Sequence, residues 1–298
     1  DWTLLIQKYP SDPLAEEAYY QKGIAETRLK HNPEAMASFA NLAQKFPQSR
    51  FLADAHYWMG MLHKESGELK EAEAELRTAV QSNPTKDIKS EAQFQLALLL
   101  QKGDRAEEAA TLFQAVLNSP AQNNFSPALL QWLAEFKSEK KAHLDSIAAA
   151  RLLVEQSQDP AWQQTGWCLF GRAHLALGNK VVADEAFRKA LDLKANTRFA
   201  GEAAFQLGGL TLDEKKFDDA LKFYKQAAEK ASDESQLGVR ARAYVGLGKA
   251  SKGLGDMEGA ARYFMSVSIL YDDPEVVPEC LYEAGGAFKK QGKDVEAG

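Results

Sequence analysis

An interval of 37 residues runs through this chain and constrains it more than any other feature. Small residues stand at Gly23, Gly60, Ala97, Ala134, Gly171, Gly208, Gly248 and Gly285, each 37 after the last except for one step of 40 before Gly248. A second series follows twelve residues behind the first: Ala35, Ala72, Ala109, Ala183, Ala220, Ala260 and Ala297. Only the unit around Ala134 breaks step, where Ser146 takes the place of the alanine. Four residues after most of these alanines comes a bulky side chain: Phe39, Leu76, Phe113, Phe187, Tyr224 and Phe264. A fixed period of this length is the mark of stacked repeat units, each too small to bury its own apolar face.

Spacing within a unit predicts two helices. Apolar residues recur at helical intervals, as in Leu96, Leu99 and Leu100 or Phe187, Ala190 and Leu191. Small residues at a helix crossing let two backbones approach, and large ones fill the space beside them. Glycines mark the turn inside the unit at Gly67-Glu68, Gly103-Asp104, Gly178-Asn179, Gly255-Asp256 and Gly292-Lys293, where a left-handed residue ends a helix. Prolines mark the joints between units: Pro10, Pro13, Pro47, Pro84, Pro120, Pro127, Pro160, Pro274 and Pro278. Pro33 falls at the start of a second helix, where its missing N–H costs nothing. The reading is an all-α, right-handed α-solenoid of about seven hairpins with a half-repeat at each end. Residues 1–126 form the N-terminal hairpins, 127–160 a degenerate hairpin and 161–298 the C-terminal hairpins of one continuous solenoid. The pattern starts and stops in mid-unit, which reads as an excised piece of a longer protein.

Composition narrows the function classes. The net charge is −6 over 298 residues, which argues against nucleic acid or an anionic membrane as the partner. No run of eighteen apolar residues occurs, so no membrane insertion is expected of this piece. Cys168 and Cys280 stand alone and read as small apolar side chains on helices. His56 and His63 are seven apart, about 10 Å along a helix, too far to share one metal ion. Gly246-Leu247-Gly248-Lys249-Ala250 lacks both the first glycine and the hydroxyl of a phosphate loop. The acidic pairs Glu16-Glu17, Glu107-Glu108 and Asp218-Asp219 lie near helix starts, where they complement the helix dipole. No catalytic residue, metal or cofactor is expected, and the chain is read as no enzyme.

The unit resembles the tetratricopeptide repeat (TPR), whose motif runs W-x2-L-G-x2-Y, then A-x3-F. The best copy is Trp167, Phe170, Gly171, His174, Ala183, Phe187 and Ala190, followed by Leu207, Gly208, Ala220, Tyr224 and Ala227. The joint Lys45-Phe46-Pro47-Gln48-Ser49, with Tyr9-Pro10 before it, is similar to repeats of bacterial cell-envelope proteins. Those include the lipoprotein of outer-membrane barrel assembly and the coordinator of the Tol-Pal system. The resemblance implies a protein-interaction scaffold whose first helices line a concave groove. Carried over, it places Tyr20, Tyr57, Phe94, Phe205 and Tyr282 there, with Ile24, Met61 and Leu98 one turn on. Arg172, Lys249 and Lys252 make the later part basic. These aromatics either pack on the next hairpin or anchor a partner protein or peptide segment. The expected address is the periplasm or envelope. The alternatives are a cytoplasmic adaptor and a non-catalytic helper domain of a larger enzyme or secretion machine. Association into a homo-oligomer stays open.

Overall fold

The computed structural model describes residues 2–10, 12–103, 105–119, 125–231, 233–271 and 273–297. These form α-helices with one short 3₁₀ turn and no strand. Seven hairpins follow one another: α2 (Pro13–Arg28) with α3 (Asn32–Lys45), α4 (Leu52–Glu65) with α5 (Leu69–Gln81), α6 (Lys86–Lys102) with α7 (Ala106–Leu117), α8 (Pro127–Glu139) with α9 (His143–Gln156), α10 (Pro160–Ala176) with α11 (Lys180–Asp192), α12 (Arg198–Asp213) with α13 (Phe217–Lys230), and α14 (Leu237–Gly253) with α15 (Met257–Leu270). A lone helix α1 (Trp2–Lys8) precedes them, and α16 (Val277–Lys290) and α17 (Asp294–Ala297) follow. Contacts gather into two compact units, residues 1–124 and 125–298.

The periodic small residues sit where the two helices of a hairpin cross. A Cβ at Gly23 would lie 2.6 Å from the Phe39 ring, at Gly171 2.7 Å from Phe187, and at Gly248 2.6 Å from Phe264. Phe39, Leu76, Phe113, Phe187 and Phe264 are fully buried, as are Ala35, Ala72, Ala109, Ala183, Ala220 and Ala260. Glycine and ring thus form one element sixteen residues apart: the missing Cβ makes the seat for the ring. The stretch Gly246–Gly248 lies inside α14, and its two glycines seat Tyr224 and Phe264. It is a packing surface. In the degenerate unit, Ser146 is buried and its hydroxyl donates to the Ala134 carbonyl at 2.8 Å, so the polar substitution is satisfied and the hairpin still forms.

Turns inside the hairpins follow the same period. Gly67, Gly178, Gly255 and Gly292 have φ between +73° and +81°. Lys30, Lys141 and Lys215 occupy the same register with φ near +60°, a conformation that favours glycine. Gly103 itself has φ −99° and ends α6 without that conformation; the matching position, Asp104, and the joint proline Pro120 lie outside the described residues. Five first helices begin on side-chain caps: Asp12, Thr85, Ser126, Asp159 and Thr197 each accept from a backbone N–H two or three residues on.

Candidate functional site

Which face of each unit is free to meet a partner follows from how the hairpins stack. In residues 1–124, α4 touches α6; in residues 125–298, α8 touches α10, α10 touches α12, and α12 touches α14. Successive second helices meet through long side chains, as where Arg77 on α5 reaches Glu108 on α7 at 2.6 Å. The side along which successive first helices meet is the one that the family resemblance assigns to the inner face.

On the inner face of the first unit, Tyr20 stacks flat on Phe51 at 4.7 Å and meets Phe39 at 6.3 Å. Its hydroxyl points to Asp54 Oδ1 at 3.4 Å. Burial and the neighbouring Asp54 charge raise its pKa. Tyr57 is buried, lies edge-on to Trp58 at 5.4 Å, and directs its hydroxyl to Glu91 Oε1 at 3.5 Å. Burial, then Glu91, pushes its pKa up strongly. Phe94 meets Phe113 edge-on at 5.8 Å. Ile24 packs on the core of the first two hairpins, while Met61 and Leu98 are half-buried. The aromatics thus pack largely among themselves and against neighbouring helices, with Tyr20 and Phe94 half-buried and Tyr57 buried.

The second unit is polar at the same register. Arg172 pairs with Glu202 at 3.2 Å, Lys249 with Glu279 at 2.8 Å, and Lys252 with Glu283. Arg198 on α12 reaches past α10 to Glu135 on α8. The basic residues read from the sequence are therefore brought together with carboxylates of the next first helix, which the sequence reading left out. Glu202 is half-buried, and desolvation raises its pKa against the pull of Arg172 and Arg198. Cys168 is enclosed beneath this cluster and burial raises its thiol far above the ordinary range, so it is a packing side chain. Phe205 meets Tyr224 at 5.8 Å. Tyr282 stands apart from the others at 82% exposed.

Buried amides escaped the sequence reading. Gln164 has no exposed surface; its amide donates to the Ala190 carbonyl at 2.8 Å and its carbonyl accepts from the Thr197 hydroxyl at 2.7 Å. Gln236 donates to the Arg198 carbonyl at 2.7 Å. Gln164 satisfies carbonyl and N–H groups left open where α11 gives way to α12, and Gln236, just before α14, ties that helix to the first residue of α12. The two histidines are occupied within their own hairpins, His56 on Glu75 at 2.6 Å and His63 on Glu68 at 2.5 Å. Among the described residues no helix is long and apolar enough to cross a membrane.

The profile of a family described as a tetratricopeptide repeat-like domain matches residues 14–127. A second, described as a tetratricopeptide repeat, matches residues 168–235; the two together span more than half of the chain. No curated protein matches the sequence. Among solved structures, the chain is similar to the C-terminal part of a TPR repeat-containing protein from Cytophaga hutchinsonii. That match has 15% identity and a TM-score of 0.52, over 87% of this chain and 98% of the other. It is also similar to BtubC from P. vanneervenii, at 16% identity and a TM-score of 0.51, over 71% of this chain and 85% of the other. At these identities the likeness is one of fold.

Proposed function

Because the chain belongs to the tetratricopeptide-repeat family, we propose that it is a non-catalytic scaffold that holds a segment of a partner protein along the inner face of its first helices, in an assembly of the bacterial cell envelope. The observation that carries this reading is the shared aromatic surface on that face. Tyr20 is held by Phe51 and Phe39 and Phe94 by Phe113, and both rings stay half-buried rather than enclosed. Rings held rigid by their own core lose little entropy on binding and make good anchors for an extended or helical segment. Repeat domains of this family generally serve as scaffolds built from nearest-neighbour contacts. The envelope address rests on the joint Phe46-Pro47-Gln48-Ser49 and its likeness to repeats of envelope proteins. There Ser49 donates to Glu16 at 2.7 Å and closes the turn onto α2.

The test compares the proteins captured from native cells by the wild-type chain and by a Tyr20→Ala, Phe94→Ala variant of equal helical content. The proposal expects loss of a specific partner from the variant. Undiminished capture would overturn the inner-face reading. Cell fractionation tests the address, and a purely cytoplasmic pool would overturn it.

A further inference from the structure

The two units treat one register of the inner face in opposite ways. In residues 125–298, a cation on one first helix is paired with an acid thirty residues later on the next: Arg172 with Glu202 and Lys249 with Glu279. In residues 1–124, the same thirty-residue register joins Ile24 to Asp54 and Met61 to Glu91. The acid is kept and the cation is replaced by an apolar side chain.

Asp54 and Glu91 are both half-buried. Asp54 receives the Tyr20 hydroxyl at 3.4 Å, and Glu91 the Tyr57 hydroxyl at 3.5 Å and the Gln95 amide at 3.0 Å. Neither forms an ion pair among the described residues. Lys64 stands near Glu91, but its ammonium donates to Gln95 Oε1 at 2.5 Å. A carboxylate drawn out of water with hydrogen bonds from neutral groups alone is unfavourable, and a cation brought into contact with it regains that loss; the Lys64 charge acts on Glu91 without touching it. Burial indeed raises the Asp54 pKa.

We infer that the inner face of residues 1–124 docks an extended protein segment carrying Lys or Arg at about every third residue, with Asp54 and Glu91 receiving successive cations and Ile24 and Met61 the apolar side chains between them. Packed helices lie about 8–10 Å apart, and a polyproline II chain rises about 3.1 Å per residue. In the polyproline II form of an extended chain, three residues make one turn and rise about 9 Å, so cations three residues apart fall on one side and match the spacing from α4, which carries Asp54, to α6, which carries Glu91. In the second unit the internal cations already fill these places, so a basic segment is favoured only by the first. This inference rests on the inner-face reading above and adds the chemistry of what binds there.

The experiment measures binding of three labelled peptides to the full chain by fluorescence anisotropy: one with lysine at every third position and leucine and alanine between, its glutamine-for-lysine twin, and its glutamate-for-lysine twin. The lysine peptide is expected to bind at least about tenfold more tightly than the glutamine peptide, and the glutamate peptide not at all. Two variants are compared. Asp54→Asn with Glu91→Gln removes the charges and keeps the shapes. Ile24→Lys with Met61→Lys supplies internally the cations that the second unit uses. Each is expected to weaken the lysine peptide about tenfold or more while the helical content holds. Equal binding of the lysine and glutamine peptides, or full affinity in the charge-removed variant, would overturn the inference. If all three peptides bind alike and all are lost in Tyr20→Ala, Phe94→Ala, the basic specificity fails and the inner-face reading survives. Binding of none of them overturns the inference as well.

Discussion

Lys141 and Gly178 occupy one register of the repeat, with φ of +60° and +80°, and the difference between them is a direct measure of what the turn demands. A left-handed residue with a Cβ costs about 1–2 kcal/mol relative to glycine. Lys141→Gly is therefore expected to stabilise the chain by about 0.5–1 kcal/mol, and Gly178→Ala to destabilise it by about 1 kcal/mol. Urea midpoints of the two variants check this. Gly171→Ala acts by crowding: its new Cβ would lie 2.7 Å from the Phe187 ring, and such overpacking costs about 1–3 kcal/mol. Asp54 carries a prediction of its own. Burial first, against the hydrogen bonds it receives, holds its pKa above the ordinary 3.8. The ionised form is disfavoured by folding, so the cost is fully present above the folded pKa and gone below the unfolded one. Asp54→Asn should melt higher than wild type at neutral pH, and the gap should close as the pH falls below about 4. A gap that persists at pH 3 would contradict this origin.

Between elements, the second helices of the first unit show the opposite sign. Glu73 on α5 and Glu108 on α7 share Arg77 and Arg105 in a four-membered network, with contacts of 2.6–2.9 Å. Burial pushes Glu73 up, but hydrogen bonds and charges from Arg77 and Arg105 outweigh it and lower its pKa. For Glu108 the Arg77 hydrogen bond leads, and its pKa is lowered too. Carboxylates depressed in the folded state add stability that is present above their ordinary value of 4.5 and fades as the pH falls through the folded one. Melting temperature should drop more steeply below pH 4.5 in wild type than in a Glu73→Gln, Glu108→Gln variant. This network also shows what a sequence conveys and what it hides. The crossing glycines, the buried alanines and Phe39, Phe187 and Phe264 were legible, because a close helix crossing demands the same residue types at the same interval in every unit. The aromatic face came from the family likeness. The pairing of Arg172 with Glu202 and of Lys249 with Glu279 was not legible: it depends on how far a side chain reaches across to the next helix, which local spacing does not carry. Nor were the left-handed lysines or Gln164, since both serve turns and joints where no periodic apolar signal exists.

At the scale of the whole molecule, stability in a repeat chain is close to a sum over units and their nearest neighbours. Phe39→Ala removes the ring seated on Gly23, a loss of about 3–5 kcal/mol. Amide hydrogen exchange should accelerate over α2–α5 and stay unchanged over α12–α15, because the two belong to separate compact units. Acceleration throughout would mean that the chain opens as one. A partner lying along the first helices would be caught by a photo-crosslinking scan in native cells, with the reactive side chain placed in turn at Met61, Leu98 and Phe205 on first helices. Leu144 and Val181, exposed at 73% and 75% on second helices, serve as the comparison. A discrete protein adduct is expected from the first-helix positions and none from Leu144 or Val181. Adducts from the second helices alone would contradict that placement of the partner.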